Sequence, residues 1–322
     1  MTNANKTKWI AGSAVALALI ALPFAVETWI SQYYLYLIIK IIVWALFATS
    51  FNLVMGYGGM MSFGHAAFYG AGAYTCALLM VKTSCPMPLA FLTAPLAAAL
   101  AGLVIGYFSV KIKGIFYFAT LTLSFAQLLY ILVFKWRSFT FGDDGIQGIA
   151  SPALLSTLDT YVNYYYFALV VSSICFYIMW RIAKSPFGMI LRTLRENPER
   201  STFIGVRIQR YRLSAFVISA FFSGVAGALY VFLETSVAPD VFKWSVSGEV
   251  LLMGLLGGMH VFFGPALGAV IMVLLNSFIT SYTEYWGLFI GITLILIVLF
   301  FPQGVGGLIN EQLRSTMNRK AA

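Results

Sequence analysis

The chain has 322 residues, of which 61% are apolar and 10% charged, where a soluble domain carries about 25% charged residues; mean hydropathy is +0.88. These values exclude an ordinary water-soluble globule. A transmembrane barrel is excluded because the apolar runs are continuous over about 20 residues instead of alternating, and a disulfide scaffold because Cys76, Cys85 and Cys175 are scattered and odd in number.

In chain order the apolar runs predict ten membrane-spanning helices, near 10–30, 33–55, 62–81, 88–110, 114–134, 164–182, 213–233, 244–263, 264–283 and 285–301. The fold class is therefore an all-α polytopic bundle, a single domain over 1–322. The first run follows Lys6 and Lys8 and also fits an uncleaved signal sequence, but no clear small-residue cleavage site follows, so a retained helix is expected.

The net charge of +9 is distributed unevenly. With the N-terminus inside, the inner segments hold Lys6, Lys8, Lys111, Lys113, Arg181, Lys184, Arg192, Arg195, Arg200, Arg207, Arg210, Arg212, Arg314, Arg319 and Lys320, against Lys82, Lys135, Arg137 and Lys243 outside. That bias predicts both termini in the cytoplasm, with 181–212 as the large cytoplasmic loop. The same count favours 244–263 as a crossing segment over a hairpin returning to the outer side. No aromatic and basic residues interleave as a nucleic-acid surface would require.

Two glycine-rich stretches interrupt the apolar pattern, Met55-Gly56-Tyr57-Gly58-Gly59-Met60 and Met253-Gly254-Leu255-Leu256-Gly257-Gly258-Met259, each with a histidine close behind, His65 and His260. Such breaks either line a solute pathway or allow close helix packing. Polar residues inside the spans are few. Thr120, Ser124 and Gln127 share one helical face, as interhelical glue or as a solute-facing stripe. Ser62 and His65 follow the first break. Lys40 is placed to snorkel outward, and Glu249, near the outer start of its span, is either a solvated interfacial acid or a partner for a cationic group. No clustered ligand set predicts a metal, and no catalytic or nucleotide-binding motif appears.

The segment 181–212 is built to fold. Ser185-Pro186 signals a helix start, Phe187, Ile190, Leu191 and Leu194 share a face, and Asn197-Pro198 stops that helix and opens another with Glu199 at its dipole-positive end. Anionic lipid or a docked cytoplasmic partner would cover such a surface; the mixed Arg195, Glu196, Asn197 and Glu199 favour the partner.

Three separated stretches, SFGHAAFYGAGAYT at 62–75, SPFGMILRTLRENPERSTFIGVRIQRYRLSAFVISAFFSGVAGALY at 185–230 and SGEVLLMGLLGGMHVFFGPALGA at 247–269, with FFPQGVGGL at 300–308, resemble in order the branched-chain amino acid type of ABC importer permease, the longer of its two permease subunits. The resemblance implies the ten-helix importer fold in a bacterial-type plasma membrane. Glu199 and Gly205 resemble the E-A-A-x-x-x-G coupling loop, with Arg200 and Ser201 in place of its alanines. Pro186, Gly188, Arg195, Glu196 and Asn197 complete the implied ATPase-coupling surface. The implied partners are a second permease, two cytoplasmic ATPase subunits that supply ATP and Mg, an extracytoplasmic solute-binding protein and membrane lipid; no cofactor is expected in this chain. The alternative from composition alone is an ion-coupled secondary transporter or channel, which would need membrane acids poised for protons or sodium, and Glu249 is essentially the sole candidate.

Overall fold

A computed structural model describes residues 32–83, 85–112, 114–149, 160–203, 205–282, 287–289, 291–292, 295 and 304–307. The expected span 10–30 lies outside the described residues, and 285–301 is described only in part. The described elements are α1 (Gln32–Asn52, continued by a π-turn over Leu53–Tyr57), α2 (His65–Thr83), α3 (Met87–Ser109), α4 (Ile115–Lys135), short α5 (Arg137–Thr140), α6 (Thr160–Lys184), α7 (Pro186–Glu196), α8 (Pro198–Phe203), α9 (Ile208–Glu234), α10 (Trp244–Gly257) and α11 (Gly264–Thr280).

Five of these, α1 with its π-turn, α3, α4, α6 and α9, are long and apolar enough to cross a membrane. At 1.5 Å per residue the 14 residues of α10 reach only about 21 Å, so α10 must begin below the surface. It does. The preceding connection sinks along α2 until Phe242 packs against Tyr74 and against the site where Gly70 would carry a Cβ. Ser247 Oγ then accepts the Ala66 amide, 2.8 Å away. The sequence places this span over 244–263, but the helix stops at Gly257 because Gly258 turns left-handed (φ +92°) and opens the loop to α11. The start of α2 likewise lies at His65, after a non-helical stretch over 58–64.

The two ends of the bundle are chemically distinct. At one, Tyr33 Oη and Ser277 Oγ share a hydrogen bond of 2.6 Å, Tyr36 donates to Glu234, and Lys82 donates to Ser138 O. Here Ile146 and Val237 exchange two backbone hydrogen bonds of 2.8 Å, joining the turn that follows Phe141-Gly142-Asp143-Asp144-Gly145 to the connection after α9. At the other end lie the α1 break, the α10–α11 turn, Lys111 and the arginines of 181–212; one cross-link there is Asn52 Nδ2 to Val261 O, 3.4 Å.

The spanning segments of α1 and α9 form the centre, 72% and 78% buried, whereas only 22% of α4 is buried within this chain. Backbones approach closely around α9: a Cβ on Gly227 would lie 2.1 Å from Tyr69 O, and one on Gly72 would lie 2.4 Å from Gly224 O. Without water to drive helices together, such small-residue contacts supply the association through packing. Tyr69 stacks on Phe47 at 4.6 Å beside this seam. Gly227→Leu should therefore cost at least the roughly 1–3 kcal/mol of overpacking and leave little monodisperse protein after detergent extraction. Gly248→Ala, which meets nothing within 4 Å, should extract normally; equal yields of the two variants would contradict this packing account.

Candidate functional site

The elbow over 185–205 is a two-helix structure seated on the basic end. After α6, the amide and hydroxyl of Ser185 both donate to Ile182 O, at 3.1 and 2.7 Å, and Pro186 opens α7. Gly188 lies so close beneath this corner that a Cβ would sit 2.2 Å from Ala183 O. Leu191 and Leu194 are buried and Phe187 stacks on Tyr211 of α9 at 5.8 Å, which pins the apolar side of α7 to the bundle. Arg192 and Glu196 are exposed.

Asn197 breaks the helix in an extended conformation (φ −152°), and its Oδ1 accepts the Arg200 amide at 3.0 Å, capping α8. At the far end Gly205 adopts φ +83° while the Val206 amide reaches Ser201 O at 3.1 Å, the closing geometry that favours glycine. Glu199 and Arg200 are exposed, and Phe203 is 90% exposed.

Arg195 ties this elbow to both glycine breaks. Its guanidinium donates from Nη1 to Gly56 O, in the break after α1, and lies 3.3 Å from His260 Nδ1, in the α10–α11 turn. The side chain can take this course only because Gly59 is bare: a Cβ there would be 2.6 Å from Arg195 Cγ. Arg192 adds a cation–π contact to Tyr57, 4.8 Å from the ring centre. The breaks also touch each other, since a Cβ on Gly56 would meet Met259 O at 2.6 Å. Residues Gly304 and Gly306 of the closing segment lie against Gly258 and Gly257, and Gly257 itself abuts Gly264 O. Thus Gly56, Gly257 and Gly258 serve backbone-to-backbone contact, Gly58 folds over Val54 O, and Gly59 borders a cavity at the basic end.

The other residues singled out from the sequence separate into three settings. Ser62 and His65 are fully buried. Ser219 Oγ donates to Ser50 O at 2.6 Å, so its contact with His65 Nε2 (2.8 Å) uses the imidazole as donor; Nδ1 then accepts from Ser62 Oγ at 3.2 Å. This is a neutral imidazole with its proton on Nε2, enclosed edge-on by Phe51, Phe68 and Phe216. The start of α2 is sealed as well, its Ala66 and Ala67 amides donating to Ser247 Oγ and Gly64 O.

Thr120 and Ser124 are exposed on α4, each hydroxyl returned to its own helix at Phe116 O and Thr120 O, with Gln127 half-buried on the same side. Glu249 is half-buried near the start of α10. The sole direct ion pair among the described residues is Lys243–Asp240, 2.8 Å. Lys40 turns back over the Tyr36 ring, 5.6 Å from its centre, in the snorkelling direction.

Sequence reasoning missed the partners of these groups. Ser219 and Ser223 lie four apart on α9 and meet Ser50; small alcohols in an apolar run look unremarkable until their spacing is matched with a second helix. The exposed Phe203 and the Arg195 crossing also left no signal beyond position. Asn197→Ala should remove a cap worth about 1 kcal/mol, raising amide exchange over residues 200–203 about fivefold; unchanged exchange there would contradict the capping assignment.

A family model described as branched-chain amino acid transport system, permease component, matches residues 33–298. The high-affinity branched-chain amino acid transport permease LivM of Escherichia coli K12 is 30% identical over 287 residues, 82% of this chain and 67% of that protein. The probable LivM of Methanocaldococcus jannaschii is 29% identical over 144 residues, 43% of this chain and 41% of that one. The nucleoside permease NupC of Lactococcus lactis is 28% identical over 121 residues, 32% and 37% of the two chains. No solved structure matches. The chain belongs to the branched-chain amino acid transport permease family, as a multi-pass membrane subunit of an ABC importer that is itself a transport component and not an enzyme.

Proposed function

We propose that this subunit imports amino acids with branched or similar apolar side chains, with a second permease completing the pathway and two ATPases driving it from the elbow at Pro186–Gly205. The observation that carries the reading is Arg195, which joins that elbow to both glycine breaks at once. A push on α7 and α8 is thereby delivered to the bases of α1 and α10 without an intervening flexible segment. Amino acids are favoured over nucleosides because the amino acid relatives match across 82% of this chain, the nucleoside permease across 32%.

In this reading the basic end and both termini are cytoplasmic, in agreement with the distribution of Lys and Arg, and the membrane is a bacterial-type inner membrane. A solute-binding protein delivers cargo to the opposite end. The second permease covers α4, whose exposed Thr120, Ser124 and half-buried Gln127 supply a polar stripe on an otherwise apolar face. Glu249 accepts the solute ammonium, with Lys40 as the opposite charge on the neighbouring helix. Ser62 and His65 hold the start of α2 in place from within the core and do not contact solute. ATP and Mg belong to the ATPases. Their contact surface is Glu199, Arg200 and Phe203, together with Glu196 on α7; an aromatic this exposed on a short capped helix is the type of anchor that fills a partner's pocket.

Two variants separate docking from transmission. Phe203→Ala should weaken ATPase retention by tenfold or more, the size of a hot-spot truncation of roughly 2 kcal/mol. Arg195→Gln should leave the ATPases bound and hydrolysing ATP while leucine uptake into proteoliposomes falls about tenfold or further. Normal uptake by Arg195→Gln would refute the transmission role, and full ATPase retention by Phe203→Ala would refute the anchor.

A further inference from the structure

Between the loop joining α3 to α4, the elbow and the base of α9 lies a cavity of about 910 Å³. Its walls carry Lys111, Arg195, Arg207, Arg210 and Arg212 against a single acid, Glu199. None of these cations is in an ion pair among the described residues, where Lys243–Asp240 stands alone. Arg195 is committed to Gly56 and His260, but Arg212 Nε is buried with no hydrogen-bond partner. An excess of four positive charges in a concave, partly desolvated space calls for an anion with several acceptor oxygens, and arginine forks match phosphate geometry.

The surroundings identify the carrier of that phosphate. The cavity opens among the ends of membrane-spanning helices, with Ile115, Phe118 and Ile208 in its wall. Directly beyond it Tyr107 and Phe108 project from α3 and Ile115 from the start of α4, all at least half exposed. Lys111 bridges the two zones, its Nζ 3.7 Å from the centre of the Tyr107 ring. A free phosphate would satisfy the cations but leave this apolar continuation uncovered, and an acidic protein segment has no use for an acyl-sized apolar track. We propose that the cavity is a headgroup site for an anionic phospholipid, the phosphate seated among Lys111, Arg207, Arg210 and Arg212 and the chains running over Tyr107 and Phe108 of α3 and Ile115, clear of the α4 face assigned to the second permease. Basic pockets between helices on the cytoplasmic side of membrane proteins bind such headgroups in this way.

The bound lipid would fasten the α3–α4 loop to the base of the elbow, so its occupancy would bear on how stiffly the elbow is held. The test is native mass spectrometry of the full-length permease, as purified with its importer partners, from nanodiscs of phosphatidylcholine doped with phosphatidylglycerol. The wild type should retain phosphatidylglycerol in preference to phosphatidylcholine. The triple variant Lys111→Gln, Arg207→Gln, Arg210→Gln should retain it roughly a hundredfold less, about fivefold for each cation removed. The charge-preserving set Lys111→Arg, Arg207→Lys, Arg210→Lys should bind as the wild type does, which separates charge loss from misfolding. Equal retention by the wild type and the neutral variant would overturn the proposal. So would displacement of the lipid by millimolar inorganic phosphate, which would make the site one for the free anion, and so would a neutral variant that keeps its lipid but sheds the ATPases, which would make it a protein interface.

Discussion

A guanidinium held between two broken helices organises the basic end of this subunit. Arg195 starts on an amphipathic surface helix, passes over the bare Gly59 and donates to the Gly56 carbonyl while lying against His260. Each break frees backbone groups that apolar surroundings cannot satisfy, and non-helical backbone survives at membrane depth only where protein or water meets those groups. Arg195 is such a protein partner for the first break. The second break is met by its own turn, with the Gly258 amide donating to Gly254 O, Val261 to Gly258 O and Gly264 to Val261 O, while Gly257, Gly264 and Gly304 bring three segments into close backbone approach. The result is a close-packed junction of elbow, α1, α10 and the closing segment.

On the proposed reading this junction carries the push of the ATPases to the bundle. The His65 cluster is a satisfied network of small alcohols around a neutral imidazole, positioned to fix α2, α9 and α1 relative to one another. The short α10 begins deep because the connection before it folds down along α2. Its base therefore meets the elbow through His260 and its start meets α2 through Ser247, the two contacts on which the proposed transmission rests.

Much of this was legible in the sequence because it depends on local rules. Span positions follow from apolar run length, and the elbow from Ser185-Pro186 and Asn197-Pro198, whose helix-start chemistry is the same in any context. The glycine-rich break at Gly257-Gly258 was legible, but not that the helix ends there, since apolar residues continue to Phe263 and it is the positive φ at Gly258 that stops α10. Nor was the setting of His65 against that of Thr120. Both are polar residues inside apolar runs, yet one is sealed by three aromatic rings and the other faces outward. Periodicity reports which residues share a face; it does not report what that face meets. Arg195 illustrates the same limit, as one arginine among many in a basic loop until the fold brings Gly56 and His260 to it.

Elbow and glycine junction are expected to move as one body, which a single distance reports. Spin labels on Met189→Cys of α7 and Phe263→Cys beside the α10–α11 turn, both exposed positions, can be read by pulsed electron resonance in the assembled importer with and without trapped ATP. The distance should stay unchanged in the wild-type background and, when Arg195→Gln is added, shift on the scale of one helical turn, about 5 Å. A shift of that size in the presence of Arg195 would contradict that expectation.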